Sequence, residues 1–327
     1  MALSDTASKP LPVAAAPTNK GTQVPQGRTQ RVGLLLAALS AVLFSGKAIV
    51  AKLIYQHGTD ALQLLTLRLL FALPLVALAA WWTARQGPPL HRADHARLLL
   101  LGALGYWLSS YLDFAGLQHV SVGLERLTLF LGPAIVLVLG QCFFQRPTHP
   151  RQWLAMAVAY AGVALVFQHD FALGGSRVGL GTALVLAAAV SYSLYLLLAG
   201  DLVPRLGALR LVAGALLYST LLTAVQFLLS RPLGELLTQP LPVYGWSAVN
   251  AVFCTVIPVW CTMRAVQLIG PGLVAQMGML GPLSLLPLGY FVLAEPVGWI
   301  QLAGTALVLL GIGVLARLPA PTHSKQD

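Results

Sequence analysis

Residues 118–147, QHVSVGLERLTLFLGPAIVLVLGQCFFQRP, and residues 267–296, QLIGPGLVAQMGMLGPLSLLPLGYFVLAEP, hold the reading that decides the fold. Leu131-Gly132-Pro133 in the first stretch matches Leu280-Gly281-Pro282 in the second at an offset of 149 residues. Held without gaps, the same offset pairs Gln118 with Gln267, Gly123 with Gly272, Leu124 with Leu273, Gly140 with Gly289 and Pro147 with Pro296. It runs on through Gln152 with Gln301 and Gly162 with Gly311, giving 13 identities over positions 118–162. An apolar composition alone would align Leu and Ala, but not Gly, Pro and Gln at constant spacing. The chain therefore reads as a tandem repeat, although the earlier parts of each half align only weakly.

The composition names the solvent. Hydrophobic residues make up 57% of the 327-residue chain and charged residues 9%, with a mean hydropathy of +0.78. Soluble domains carry about 25% charged residues, so this inventory cannot clothe a water-exposed surface. The formal net charge of +10 does not indicate nucleic acid, because Lys and Arg lie mostly in short segments between apolar runs rather than on one polar face. The partners expected are the lipid bilayer and a small-molecule substrate. Cys142, Cys254 and Cys261 fall in apolar runs without C-x-x-C spacing and read as small hydrophobes.

Apolar segments long enough to cross a hydrocarbon core are predicted at Val32–Tyr55, Ala61–Thr83, Leu98–Leu117, Val122–Phe144, Trp153–Phe167, Val178–Ala199, Leu211–Leu229, Gly245–Leu268, Leu273–Leu293 and Val297–Ala316. The predicted fold is an all-α membrane protein of ten helices. Residues 1–31 read as a disordered basic tail without a signal-type apolar run, and residues 318–327 as a second tail. Residues 32–168 and 178–317 form the two five-helix repeats.

Basic residues fix the expected orientation. Thirteen of the 20 Lys and Arg lie in segments on the N-terminal side of the membrane and only Arg177 and Arg231 on the other. Lys47, Lys52, Arg68, Arg126 and Arg264 lie within spans. Both termini are thus expected in the cytoplasm, in an inner (plasma) membrane. With five spans per half, an odd number, the second half must be inverted relative to the first. Inverted repeats with a solute site near the midplane are a recurring transporter architecture.

The segment Val120-Ser-Val-Gly-Leu-Glu-Arg-Leu-Thr-Leu-Phe-Leu-Gly-Pro133 resembles the fourth-span signature of the EamA branch of the drug/metabolite transporter superfamily. Leu43–Lys52 resembles its first span and Leu67-Arg68-Leu69-Leu70 its second. Leu280-Gly281-Pro282, Ala294-Glu295-Pro296 and Gln301 resemble its ending. The resemblance implies a secondary transporter that exports or exchanges small organic metabolites, amino acids or related compounds first. It also implies a cavity lined by the first, third, fourth, sixth, eighth and ninth spans. Two positions depart from the pattern: Phe144-Gln145-Arg146 lacks the frequent Glu before Arg, and Gly281 stands where many members carry Glu.

Charge inside a span is expensive and marks candidate function. Lys47, fifteen residues into its span, either faces a solute or pairs with an acid whose titration couples the cycle to protons; a purely structural role is the alternative. Lys52 can snorkel and Arg68 can hold helices together. Asp113, Glu125 and Arg126 should share one depth, as a gate or as a structural charge network. Tyr106, Trp107, Tyr111, Tyr192, Tyr195, Trp260 and Tyr290 are candidate cavity lining, combining an apolar body with a polar handle. Pro133, Pro258, Pro282 and Pro287 are candidate kinks.

Other signals fall short. Ser45-Gly46-Lys47-Ala48 lacks the upstream Gly and the Ser or Thr after Lys of a phosphate-binding loop. His91 and His95 have helical metal-pair spacing but sit in a short basic loop, and no metal or cofactor is expected. No nucleophile and base share a depth, which weighs against an intramembrane enzyme. A non-transporting scaffold or sensor leaves the repeat, the kinks and Lys47 unexplained.

Overall fold

In the computed structural model, residues 28–317 are described apart from residues 88, 145–149, 201, 279 and 296. The predicted tails at 1–27 and 318–327 lie outside them, as do Gln145, Arg146, Pro147 and Pro296. The described chain is all-helical: α1 (Arg28–Tyr55), α2 (Ala61–Gln86), α3 (Arg92–Leu117), α4 (Val122–Leu129), α5 (Gly132–Phe144), α6 (Pro150–Gly174), α7 (Ser176–Ala199), α8 (Ala208–Ser230), α9 (Leu241–Gly270), α10 (Leu280–Leu293) and α11 (Trp299–Arg317). One-turn helices at Val203–Leu206 and Gly234–Leu237 precede α8 and α9.

The protein is a multi-spanning membrane protein in which eight helical segments, counting α4 and α5 as one, are long and apolar enough to cross a bilayer. The two remaining apolar helices are shorter. The short predicted fifth span is corrected to 25 residues, because α6 continues through His169 and Asp170 to Gly174. Their polarity, read as a loop, sits on the last turns of a helix. Arg28–Arg31, assigned to the tail, form the first turn of α1. The third helix begins six residues earlier than predicted, at Arg92, where Asp94 accepts the His91 N–H at 2.9 Å. His95 places Nδ1 2.7 Å from the Tyr218 hydroxyl, so the two histidines have separate roles.

The 149-residue register extends into elements that the sequence aligned weakly. α3 contains a π-helical segment at Ala103–Leu108, and α9 contains one at Val252–Val256. Each begins 149 residues from its counterpart, as do Arg92 and Leu241, the first residues of their helices. The fourth predicted span divides at Phe130-Leu131, and the ninth divides at the corresponding place, between Met277 and Leu280. A second irregularity, Gly270 at φ +81°, separates α9 from residues 271–277; only glycine takes such a φ without strain.

Helix contacts respect the same exchange. α2 packs on α8 and α6 on α11, each helix against its own counterpart. α1 packs on α9 and α10, while its counterpart α7 packs on α3 and α5. Small residues bring the backbones together, the usual means of holding helices in lipid. A Cβ at Gly162 would stand 2.6 Å from the Gly304 carbonyl, and one at Gly311 2.5 Å from the Ala155 carbonyl. Those two contacts are the same contact under the 149-residue exchange. Gly116 and Gly181 meet in the same way where α3 crosses α7.

The predicted kinks are refined. Pro133 is the second residue of α5 and Pro282 the third of α10. They start new helical segments after a break, where a missing N–H costs little, rather than bending a continuous helix. Pro258 lies two residues beyond the π segment of α9, and Pro287 lies inside α10. Pro74, inside α2, is a further helix-interior proline.

Candidate functional site

Hydrogen bonds of Thr59 with Gln239, Lys52 with Val120, Ser121 with Asp170 and Val122 with Glu295 gather the α1–α2, α3–α4, α6–α7, α8–α9 and α10–α11 turns at one end of the bundle, the Tyr55 end. Lys47 lies eight residues from Tyr55 along α1, roughly 12 Å at the helical rise. Its ammonium pairs with Asp113 Oδ2 on α3. Asn250 on α9 donates to the Lys47 carbonyl at 3.3 Å, fixing α1 against the turn just before the π segment.

The other in-span charges gather around this pair. Arg68 on α2 is 5% exposed and donates from Nε to Thr255 Oγ1 at 3.0 Å. Thr255 lies within the π segment and donates to the Asn250 carbonyl five residues back. The Phe114 ring lies near both cations, its centroid 5.4 Å from Lys47 Nζ and 5.3 Å from the Arg68 guanidinium. Arg126 on α4 donates to Ser45 on α1 at 3.0 Å. A Cβ on Gly281 would stand 3.0 Å from both Arg126 Nη2 and Ser45 Oγ, so Gly at this position lets α10 approach the pair.

Glu125 is fully buried, and neither of its oxygens accepts a hydrogen bond among the described residues. Asp113 Oδ1, Arg68 Nη1 and Arg126 Nε are also without partners there. The cluster thus holds three cations, two acids and several unused donors and acceptors, an arrangement that is costly unless something else completes it. Lys52 stands apart, donating to the Val120 carbonyl at 2.7 Å.

The aromatic candidates are not gathered into one lining. Tyr106 and Tyr195 join hydroxyls at 3.3 Å across α3 and α7, with Tyr192 stacked at 5.3 Å from Tyr195. Trp107 donates to Gln226 on α8 at 2.7 Å. Tyr111 packs half-buried at the edge of the main core. Trp260 and Tyr290 are each 55% exposed, away from that trio. The residues missed in the sequence are polar groups inside apolar helices: Ser45, Asn250 and Thr255. An Asn and a Thr five residues apart inside an apolar segment were the available signal.

Residues 31–168 and 179–317 each match the model of the EamA-like transporter family. The chain belongs to this family. The uncharacterized transporter YcbK of Bacillus subtilis strain 168 is 30% identical over 297 residues, spanning 85% of this chain and 90% of that protein. A solved crystal structure with 16% identity superposes with a TM-score of 0.59 over 86% of this chain and 95% of its own, a likeness of fold alone. As a member of the EamA family within the drug/metabolite transporter superfamily, the chain is a secondary transporter, not an enzyme, and carries small molecules across the inner membrane, in which it makes multiple passes. Among the described residues no group of three or more His, Cys, Asp and Glu is placed to hold a metal.

Proposed function

We propose that this EamA transporter exports or exchanges amino acids or related small organic compounds by alternating access between two inverted five-helix halves. The halves are residues 32–168 and 178–317, ten spans in all, with both termini cytoplasmic and the Tyr55 end outside. The exchange of neighbours between 149-related helices supports a two-fold relation. Five spans per half would put that axis in the membrane plane. The basic residues concentrated opposite the Tyr55 end support the orientation.

The observation that carries the substrate reading is the buried cluster of Lys47, Arg68, Asp113, Glu125 and Arg126, drawn from α1, α2, α3 and α4. Three cations against two acids leave one positive charge for a solute carboxylate, and Arg68 Nη1 and Arg126 Nε are donors without partners. The same acids give a route for coupling. A proton held between Asp113 and Glu125 would supply the donor that both lack, and its release would accompany the change in solute occupancy. The Tyr106, Tyr192 and Tyr195 cluster, near Leu104 where Ser191 bonds the backbone, would flank the path of the organic portion.

The test is counterflow of radiolabelled amino acids in proteoliposomes, with and without a pH gradient. Lys47→Ala should reduce flux at least ~10-fold, the factor expected for losing one charge-assisted contact. Glu125→Gln should retain exchange but lose acceleration by the gradient. Unchanged transport by Lys47→Ala across a broad metabolite panel removes Lys47 from the site.

A further inference from the structure

A cavity of about 320 Å³ opens at the Tyr55 end between α4, α6, α7, α10 and α11, outside the Lys47 cluster. Two carboxylates line it. Asp170 accepts from Ser121 Oγ at 2.7 Å and lies 3.2 Å from His169 Nδ1. Glu295 accepts the Val122 N–H, the first of α4, at 3.1 and 3.2 Å. Each therefore sits in a fixed position and keeps lone pairs for another donor. The nearby cation, Lys52, is held by the Val120 carbonyl, so the acids outnumber it. Apart from these groups the wall is largely apolar: Leu173, Val178, Leu285, Leu286 and the exposed ring of Tyr290.

Two glycines keep the cavity open. A Cβ at Gly123 would come no nearer than 3.9 Å to any neighbour, and one at Gly289 would meet only Glu295 Oε2 at 3.9 Å. Neither glycine is required by close helix packing, unlike Gly162 or Gly311. Both border space that a larger side chain would fill.

We propose that this cavity is a separate binding site for an amphipathic organic ammonium ion. The ammonium would donate to Asp170 and Glu295, and its apolar body would lie on the leucines and Tyr290. A preformed, mostly apolar pocket with a few fixed polar groups is the usual form of a small-molecule site. An ammonium with its three donors is the complement of two immobilised carboxylates. The proposal concerns equilibrium binding and stands whether or not the Lys47 cluster carries solute.

The test uses the purified full-length protein in detergent, with 2-phenylethylammonium as the probe and 2-phenylethanol and phenylacetate as its neutral and anionic counterparts, read by calorimetry. The ammonium should bind at least ~10-fold more tightly than either. Glu295→Gln and Asp170→Asn keep an acceptor for Val122 and Ser121 while removing charge, and their combination should abolish the preference. Gly289→Leu should fill the cavity and remove binding, and Gly123→Val is the alternative occlusion should the first variant fail to elute as a folded species. Equal affinity for the alcohol overturns the proposal. So does binding retained in the double charge variant or in a folded occluded variant, and so does wild-type protein that does not bind the ammonium at millimolar concentration.

Discussion

At the scale of single residues, Lys47 and Asp113 test whether the buried charges hold the fold or serve the solute. Both are mostly shielded, with side-chain exposures of 17% and 4%. Removing one partner strands the other in a low-dielectric interior, which costs about 3–5 kcal/mol for a buried pair. Lys47→Met should destabilise by an amount at the lower end, given its residual exposure, and Lys47→Met with Asp113→Asn should recover most of the loss. Thermal unfolding in detergent reads this, and amino-acid counterflow should stay low in both variants. Flux restored in the double variant would make the pair structural only. The sequence showed that each charge was costly and therefore candidate function, but not that Lys47 meets Asp113. They are 66 residues apart, and only packing of α1 on α3 joins them. The aromatics show the same limit: residue type suggested a shared lining, but only packing tells that Tyr106, Tyr192 and Tyr195 meet, that Trp107 bonds Gln226, and that Trp260 and Tyr290 stay exposed. Glu295 offers a pH test outside the spans. Burial raises its carboxyl above the usual range, opposed by the Val122 N–H and by Lys52. A carboxyl raised in the fold stabilises most below its unfolded range, and that stability is lost as pH rises through the folded value. Ionised Glu295 is thus a cost at neutral pH. Glu295→Gln should raise the melting midpoint at about pH 7.5 and change it little near pH 4.

At the scale of helices, Gly162 and Gly311 are the positions where α6 and α11 touch backbone to backbone. Their Cβ atoms would meet carbonyl oxygens at 2.6 and 2.5 Å, too close to be relieved by a flexible side chain. Gly162→Leu or Gly311→Leu should each cost about 1–3 kcal/mol by overpacking, seen as a lower unfolding midpoint, whereas Gly132→Ala, with nothing within 4 Å of its Cβ, should not. Equal melting of all three variants would contradict this packing. The repeat was legible in the sequence where Gly, Pro and Gln punctuate it, over positions 118–162 and their counterparts. It was not legible through α3 and α9, because a π segment is a hydrogen-bonding pattern without a residue signature. Val252–Val256 precedes a proline, yet Ala103–Leu108 contains and precedes none. Helix length was misread at α6 for a related reason: His169 and Asp170 look like loop residues until the cavity they line is seen.

For the molecule as a whole, the decisive question is whether the halves run antiparallel across the membrane, because alternating access by rocking around a midplane site depends on it. Equivalent turns give the answer. The α1–α2 turn containing His57 corresponds, 149 residues on, to the stretch between α7 and α8 containing Pro204. Both residues are exposed. In inverted halves they lie on opposite sides, and in parallel halves on the same side. Single cysteines at these positions, in a Cys142→Ser background since Cys142 is the exposed native thiol while Cys254 and Cys261 are buried, can be probed in intact cells with a membrane-impermeant maleimide. His57→Cys should label directly, and Pro204→Cys only after permeabilisation. Thr238→Cys, in the second half but at the Tyr55 end, should behave like His57→Cys. Reversal of all three would keep the inversion and turn the molecule over, against the distribution of Lys and Arg. Labelling of His57→Cys and Pro204→Cys from one side would rule out the antiparallel halves, and with them a solute site shared across an in-plane axis.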